Sequence, residues 1–469
     1  MTNSPPHLVV LLPRGETIRN FIYSGALEAV QKQLPVTLIS VLPDATINQQ
    51  LTNRFASVHE LTTDPDPWLV RWLRLQLDVV HGRHLWSEAA KERWRRRDAE
   101  AVTPSKKAKR LISKALTLFF ANEAGLNALN ALERQTSRTL STSNHYTELM
   151  RQLRPSLVFN ASHIHSPNAT QAVQAAQWLG IPTATFLFSW DNLTSQGRIM
   201  LPYDHYFAWN QTIAEQLLEI YPRVRREQVI VTGTPQFDFH FRSEFHESRE
   251  TFCARVGLDP ARPFVLYSTG MDNHMPGEPR IIEGIALILR SLDEFQRPQL
   301  LVRLYPKDRH PERFDEMRRA NPDILFPEIP WNKNHQTPQF EDCAFLTNTL
   351  RHCALGINIA STISLELAML DKPVINVGYN PPELDISPID YRVYYGFDHY
   401  RPVVESGAVR LANSETEMRD LIVAALRNPA QDAALRARFT RQMFGDTLNG
   451  RVAEGLAQHL IRLAHARNG

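Results

Sequence analysis

The chain lacks most of the features that would class it at a glance. It has three cysteines, Cys253, Cys343 and Cys353, too few and too irregularly spaced for a disulfide framework or a zinc site. That usage fits a reducing compartment. No charge of one sign dominates: the formal net charge is +2 over 469 residues, which argues against a surface given over to nucleic acid and leaves any basic partner site local. No apolar run approaches the roughly 20 residues of a membrane span. The opening MTNSPPHLVVLLPRGET has no basic leader, and Arg14 and Glu16 follow its short apolar run directly. It reads as a first strand and not a signal peptide. No repeat or low-complexity tract appears. The expectation is a cytoplasmic protein with no metal and no resident cofactor.

What the chain does have is length and core material. With 43% hydrophobic residues over 469 positions, it exceeds what one core normally organises, so two domains are expected. His7 to Leu12, a helical pattern from about Ile18 and the strand Val36 to Val41 make an opening βαβ unit. The loop between, Pro13-Arg14-Gly15-Glu16-Thr17, sits at a strand's carboxyl end, where open α/β sheets bind ligands. Its lone glycine makes no dinucleotide fingerprint.

From about 68 to 139 the text turns helical and charged. Within it, Trp86 to Arg97 and Lys106 to Phe120 combine clustered Lys and Arg with aromatics and leucines. The plain reading is a solvated face over core leucines; the alternative is contact through 86–120 with an anionic surface, the inner face of the cell membrane. The α/β rhythm resumes with strands at Ser156 to Asn160, Thr183 to Phe188, His205 to Trp209 and Val229 to Thr232. The turn-rich Gly233-Thr234-Pro235-Gln236 then marks a boundary. Residues 1–235 form one Rossmann-like domain with a helical insertion. A second, 236–448, has strands at Phe264 to Tyr267, Leu300 to Leu304, Gly356 to Ile359 and Val374 to Val377, and a last helix occupies 449–469.

The stretch LGINIASTISLELAMLDKPVINVGY, residues 355–379, carries the clearest chemistry. A strand meets Ser361 and Thr362, a short helix follows, then a β-branched strand. Either hydroxyl is placed to cap the helix, whose first turn offers free N–H groups and the positive dipole end to phosphate. Glu366 lies one turn deeper on Thr362's face, where a carboxylate can accept hydrogen bonds from a ribose diol. A plain cap and a solvated Glu would make the same pattern. Two further segments share this chemistry. Ser268-Thr269-Gly270 ends a strand in a small hydroxyl turn that exposes N–H groups. Arg303 sits in an otherwise apolar strand with Lys307 just beyond, and a cation there needs either a structural carboxylate or a ligand phosphate.

In this order the three segments resemble the donor half of GT-B glycosyltransferases, of the bacterial surface-polysaccharide type, and also the CDP-glycerol glycerophosphotransferases built on that fold. The glycerophosphotransferases carry an Asp-Tyr-Ser-Ser type turn where this chain has Asn358-Ile359-Ala360-Ser361-Thr362. The resemblance implies an α/β protein of two Rossmann-like domains facing a cleft, with the last helix crossing back to the first domain. It implies a metal-independent transferase taking a sugar from a nucleotide-sugar donor to a glycan or lipid-linked acceptor, with no nucleic acid involved. Donor diphosphate would be held by Ser268, Thr269, Gly270, Arg303, Lys307, Ser361 and Thr362, and ribose by Glu366. Acceptor contacts would come from Arg14, His163, His165, Trp190 and Asn192. The base would be Asp191 or Glu16, with Asp191 preferred because Arg14 would lower the pKa of Glu16. A phosphotransferase using a CDP-linked donor, an isomerase similar to UDP-sugar 2-epimerases and a non-catalytic nucleotide-sugar-binding protein remain alternatives.

Overall fold

Leu8–Leu12 (β1) reads LVVLL and buries every residue, as a parallel strand covered on both faces requires. The computed structural model describes residues 5–41, 51–140, 144–162, 167–332, 337–381 and 390–466. The chain divides into two compact units. Unit 1 comprises 1–234, 397–399 and 452–469, and unit 2 comprises 235–396 and 400–451.

In unit 1, β1 is followed by β2 (Val36–Ser40), β3 (Ser57–Glu60), β4 (Leu157–Asn160), β5 (Thr183–Phe186), β6 (His205–Ala208) and β7 (Val229–Val231). They lie parallel in the order β3-β2-β1-β4-β5-β6-β7. Strand order reverses between β1 and β4, whose carboxyl ends form the switch point where such sheets bind ligands. α1 (Ala26–Gln31) packs against the last helix, Val452–Ala466. That helix buries Val452, Ala453, Leu456, Ala457, Leu460, Ile461 and Ala464, one stripe at helical spacing.

The insertion between β3 and β4 is built on α2 (Trp68–Leu85), α3 (Glu88–Ala99), α4 (Pro104–Phe120) and α5 (Glu123–Leu140). Leu77, Val80, Leu126 and Leu129 form its core, with Leu116 and Phe120 against them. Ser87 starts α3, its Oγ accepting from Ala90 N–H at 3.1 Å and donating to Thr194 O at 2.7 Å. This ties the insertion to the loop after β5.

Unit 2 repeats the plan. β8 (Phe264–Ser268), β9 (Gln299–Arg303) and β10 (Ile324–Leu325) precede a short antiparallel pair, β11 (Trp331–Asn332) and β12 (Thr337–Pro338); β13 (Leu355–Asn358), β14 (Val374–Val377) and β15 (Arg410–Ala412) follow. The main sheet runs β10-β9-β8-β13-β14-β15, all parallel, and its switch point lies between β8 and β13. Three edge strands, β3, β10 and β15, go beyond the sequence expectation. Each is two to four residues long and too short or too polar to show a period. Residues 397–399 in unit 1 were also not anticipated.

The terminal helix gives a direct test of its packing. Leu456 is fully buried, and Leu456→Ala is expected to cost about 2–5 kcal/mol of unfolding free energy. Chemical denaturation followed by tryptophan fluorescence reads the change; a shift within error would mean the stripe is not holding the helix.

Candidate functional site

The switch point of unit 2 is organised by Asn358, the last residue of β13. Its Oδ1 accepts from Ser361 N–H at 3.0 Å, Ser364 Oγ–H at 3.1 Å and Asn376 Nδ2–H at 3.1 Å. Tyr400 closes the network, its hydroxyl 2.9 Å from both Ser364 Oγ and Asn376 Oδ1. Burial pushes the Tyr400 hydroxyl pKa upward, so it stays a neutral donor. Ala360 carries the turn at φ +44°, the left-handed region that L-residues adopt at a cost. The helix Ile363–Met369 starts from this turn. It packs close to β13: a Cβ on Gly356 would run into the Leu367 side chain.

The cap differs in part from expectation. Ser361 Oγ accepts from Ile363 N–H at 3.3 Å, whereas Thr362 makes no side-chain cap. The N–H groups of Ser361 and Ser364 are used internally, the latter by Ser361 O at 3.0 Å. The turn therefore presents hydroxyls and a dipole more than an open row of donors.

Glu366 lies one turn into this helix, with its side chain only 10% exposed. It is neither solvated nor alone. Its Oε2 is 2.8 Å from His240 Nε2, and His240 Nδ1 is 3.1 Å from Thr347 Oγ1. Glu366 Oε1 makes no hydrogen bond among the described residues. One carboxylate oxygen is thus fixed by a buried imidazole and the other is left available. His240 was missed because it sits in the aromatic PQFDFHF turn, Pro235–Phe241, far from Glu366 in sequence.

The other two segments resolve toward structure. Thr269 N–H donates to Arg303 O at 3.0 Å and Thr269 Oγ1 accepts from Tyr305 N–H at 2.7 Å. Gly270 N–H donates to both carboxylate oxygens of Glu278, at 2.9 and 3.1 Å. A buried glutamate thus occupies the backbone donor at Gly270 that had been expected to meet phosphate. Ser268, paired with Asn358 and Arg303 across the sheet, is buried. Arg303 resolves the same way: its Nη2 donates to Asp342 Oδ1 at 2.8 Å, with both side chains buried. A structural carboxylate is thus one partner of Arg303, while its buried Nη1 makes no hydrogen bond among the described residues. Lys307 is half-buried in the turn after β9.

In unit 1, Arg14 grips Glu16 with two hydrogen bonds, of 3.0 and 2.7 Å, while stacking on Phe188 at 4.7 Å. Trp190 is buried, its ring 5.0 Å from His399 in an edge contact, and so presents no open face to a sugar. Asn192 is buried as well, its Oδ1 accepting from Ser189 N–H at 2.9 Å to close the turn. Asp191 Oδ2 accepts from Ser195 Oγ–H at 2.6 Å and Gln196 Nε2–H at 3.4 Å. Burial alone would raise its carboxyl, but His399 and the hydrogen bonds from Ser189, Ser195 and Gln196 hold it below the usual range. A carboxylate held below the usual range is a weak base, and Glu16, gripped by Arg14, is held by a cation in turn. His399 is the residue the sequence reading missed. It lies among aromatics in a segment remote from Asp191, and burial lowers its pKa with Asp191 and Asp398 opposing. His163 and His165 lie outside the described residues.

Among the described residues no group of three or more His, Cys, Asp or Glu is arranged to hold a metal ion.

Two doubly wound parallel sheets in one chain, each with its switch point, define the class: the fold is of the GT-B type. The resemblance spans the chain. It matches a UDP-GlcNAc 2-epimerase from Methanocaldococcus jannaschii with a TM-score of 0.52 at 12% identity, over 97% of this chain and 99% of that one. A UDP-GlcNAc 2-epimerase from Neisseria meningitidis, bound to UDP-GlcNAc, matches with a TM-score of 0.52 at 12% identity over 97% and 100%. A glycosyltransferase from Rickettsia africae matches with a TM-score of 0.50 at 11% identity, over 99% of both. No protein-family model and no curated sequence matches the chain.

Glu278 supplies a pH-dependent test of unit 2. Fully buried beside Arg313 at 3.0 Å, its carboxyl is pushed by burial up from 4.5 to about 7. A carboxyl with a raised folded-state pKa binds more protons folded than unfolded between those values, so its contribution falls as pH rises from 4.5 to about 7. Glu278→Gln should flatten that decline in the thermal midpoint, and an unchanged slope would place the decline elsewhere.

Proposed function

We propose that this protein is a metal-independent glycosyltransferase that moves a sugar from a nucleotide-sugar donor to a surface-glycan or lipid-linked acceptor. The observation that carries the donor half is Glu366: a carboxylate at the unit 2 switch point, oriented by His240, with Oε1 available for a ribose diol. Ser361 and Thr362 offer hydroxyls and a helix end to the diphosphate. Support also comes from the fold, which is shared along the whole chain with a protein crystallised with UDP-GlcNAc.

For activation of the acceptor hydroxyl, His399 is the better base. Burial favours its neutral imidazole, and the charge of nearby Asp191 opposes that shift. Asp191 then serves as the base's partner.

A second reading, epimerisation of a UDP-sugar, is favoured by the whole-length likeness to two UDP-GlcNAc 2-epimerases. Incubation with UDP-GlcNAc alone, then with glycan or lipid-linked acceptors, decides between them. An epimeric UDP-sugar, or the altered free sugar plus UDP if water also cleaves it, formed without acceptor means epimerisation; an acceptor adduct with release of UDP means glycosyl transfer. CDP-glycerol in the same assay tests for a phosphodiester product, and nucleotide binding without any product would leave a binding protein.

Two substitutions test the residue roles. Glu366→Ala should weaken nucleotide-diphosphate affinity by about 1–3 kcal/mol in calorimetry, with the thermal midpoint recorded alongside; unchanged affinity would leave Glu366 a structural partner of His240. Asp191→Asn should lower turnover roughly 100-fold. Because Asp191 raises the His399 pKa, its neutralisation should also move the acid limb of the rate profile, already below 6.5, to still lower pH. His399→Gln that keeps full turnover would exclude this base.

A further inference from the structure

The cations that the sequence grouped in 86–120 fall into two populations. Those of α3 are tied down: Arg97 pairs with Asp78, Arg95 and Arg96 with Glu92, and Arg93 reaches Asp78 at 3.9 Å. Arg110 and Lys114 of α4 both bind Asp98, at 2.7 and 2.9 Å, and Arg110 also stacks on Trp94 at 4.0 Å. Lys106, Lys107 and Lys109 remain, exposed and without a carboxylate partner among the described residues.

The apolar side of α4 faces outward. The helix buries Ser113 and Thr117, whose hydroxyls turn back onto their own helix, to Lys109 O at 3.2 Å and Lys114 O at 2.6 Å. On the opposite side Leu111 is 68%, Ile112 53%, Leu118 82% and Phe119 73% exposed. At about 3.6 residues per turn these four share one stripe with Ala108 and Ala115, and Lys107 and Lys109 fall on its two flanks. Water leaves such a stripe costly, and a monomer seldom carries one without a partner.

We propose that this outward face of α4 is a docking surface for an anionic lipid bilayer. Leu111, Ile112, Leu118 and Phe119 enter the headgroup boundary, the helix lies in the plane of the membrane, and Lys107 and Lys109 on the flanks meet lipid phosphates. Charge complementarity selects this occupant. Long cationic stems flanking an apolar stripe keep their ammonium groups at headgroup level while the stripe is buried, the arrangement of interfacial helices. No helix among the described residues is long and apolar enough to cross a membrane, so the contact is peripheral. It stands independently of the reaction the protein performs.

The experiment is co-sedimentation of the full chain with phosphatidylcholine vesicles, with and without phosphatidylglycerol, across a salt series. Wild type should sediment with the anionic vesicles and be released as salt rises. Leu118→Ser/Phe119→Ser and Lys107→Glu/Lys109→Glu should each lower the partition coefficient at least about tenfold. All four positions are exposed, so thermal midpoints should stay at the wild-type value. Wild type that remains in the supernatant at low salt, or variants that sediment as wild type does, would overturn the proposal. So would a vesicle-free dimer that Leu118→Ser/Phe119→Ser dissolves, since the face would then belong to a second copy of the chain.

Discussion

The side-chain carboxamide of Asn358 is the constraint on which the unit 2 site depends. A parallel strand buried on both faces must end somewhere, and its last residue here spends its Oδ1 on the turn, the next helix and the neighbouring strand at once. That fixes where Ile363–Met369 begins. Glu366 therefore lands one turn in, at the right height for His240. The left-handed Ala360 and the close approach at Gly356 are the local costs of this geometry, and the Tyr400 hydrogen bonds offset them.

Charges around both switch points follow one rule: a buried ion keeps a partner, and the partner is found inside the protein first. Arg303 has Asp342, Glu278 has Arg313, Glu16 has Arg14, and Asp191 has its shell of hydroxyl and amide donors. Removing two charges from water is expensive enough that an unpartnered ion is rare. What remains for chemistry is the exception, a carboxylate oxygen or an imidazole only partly used. Glu366 is one such group, its Oε2 held by His240 while Oε1 makes no hydrogen bond among the described residues.

The helical insertion shows the same logic on its surface. Its core of leucines is small, and most of its charge is neutralised by neighbours in sequence or across helices. α4 then buries hydroxyls and exposes leucine and phenylalanine, the reverse of a soluble helix.

The sequence by itself determined the α/β class, the central strands, the helical insertion and the position of the 355–379 stretch, because these rest on local periodicity and on runs of apolar residues that a parallel sheet requires. It could not supply the short edge strands, which have too few residues for a period to appear. Nor could it pair Arg303 with Asp342, Glu366 with His240 or Asp191 with His399. Those partners stand 39, 126 and 208 positions apart in the chain, and only the folded sheet order decides which side chains meet. For the same reason α4 looked like one more amphipathic helix: periodicity names its two faces, but which of them turns to solvent depends on what α2 and α5 leave to be covered.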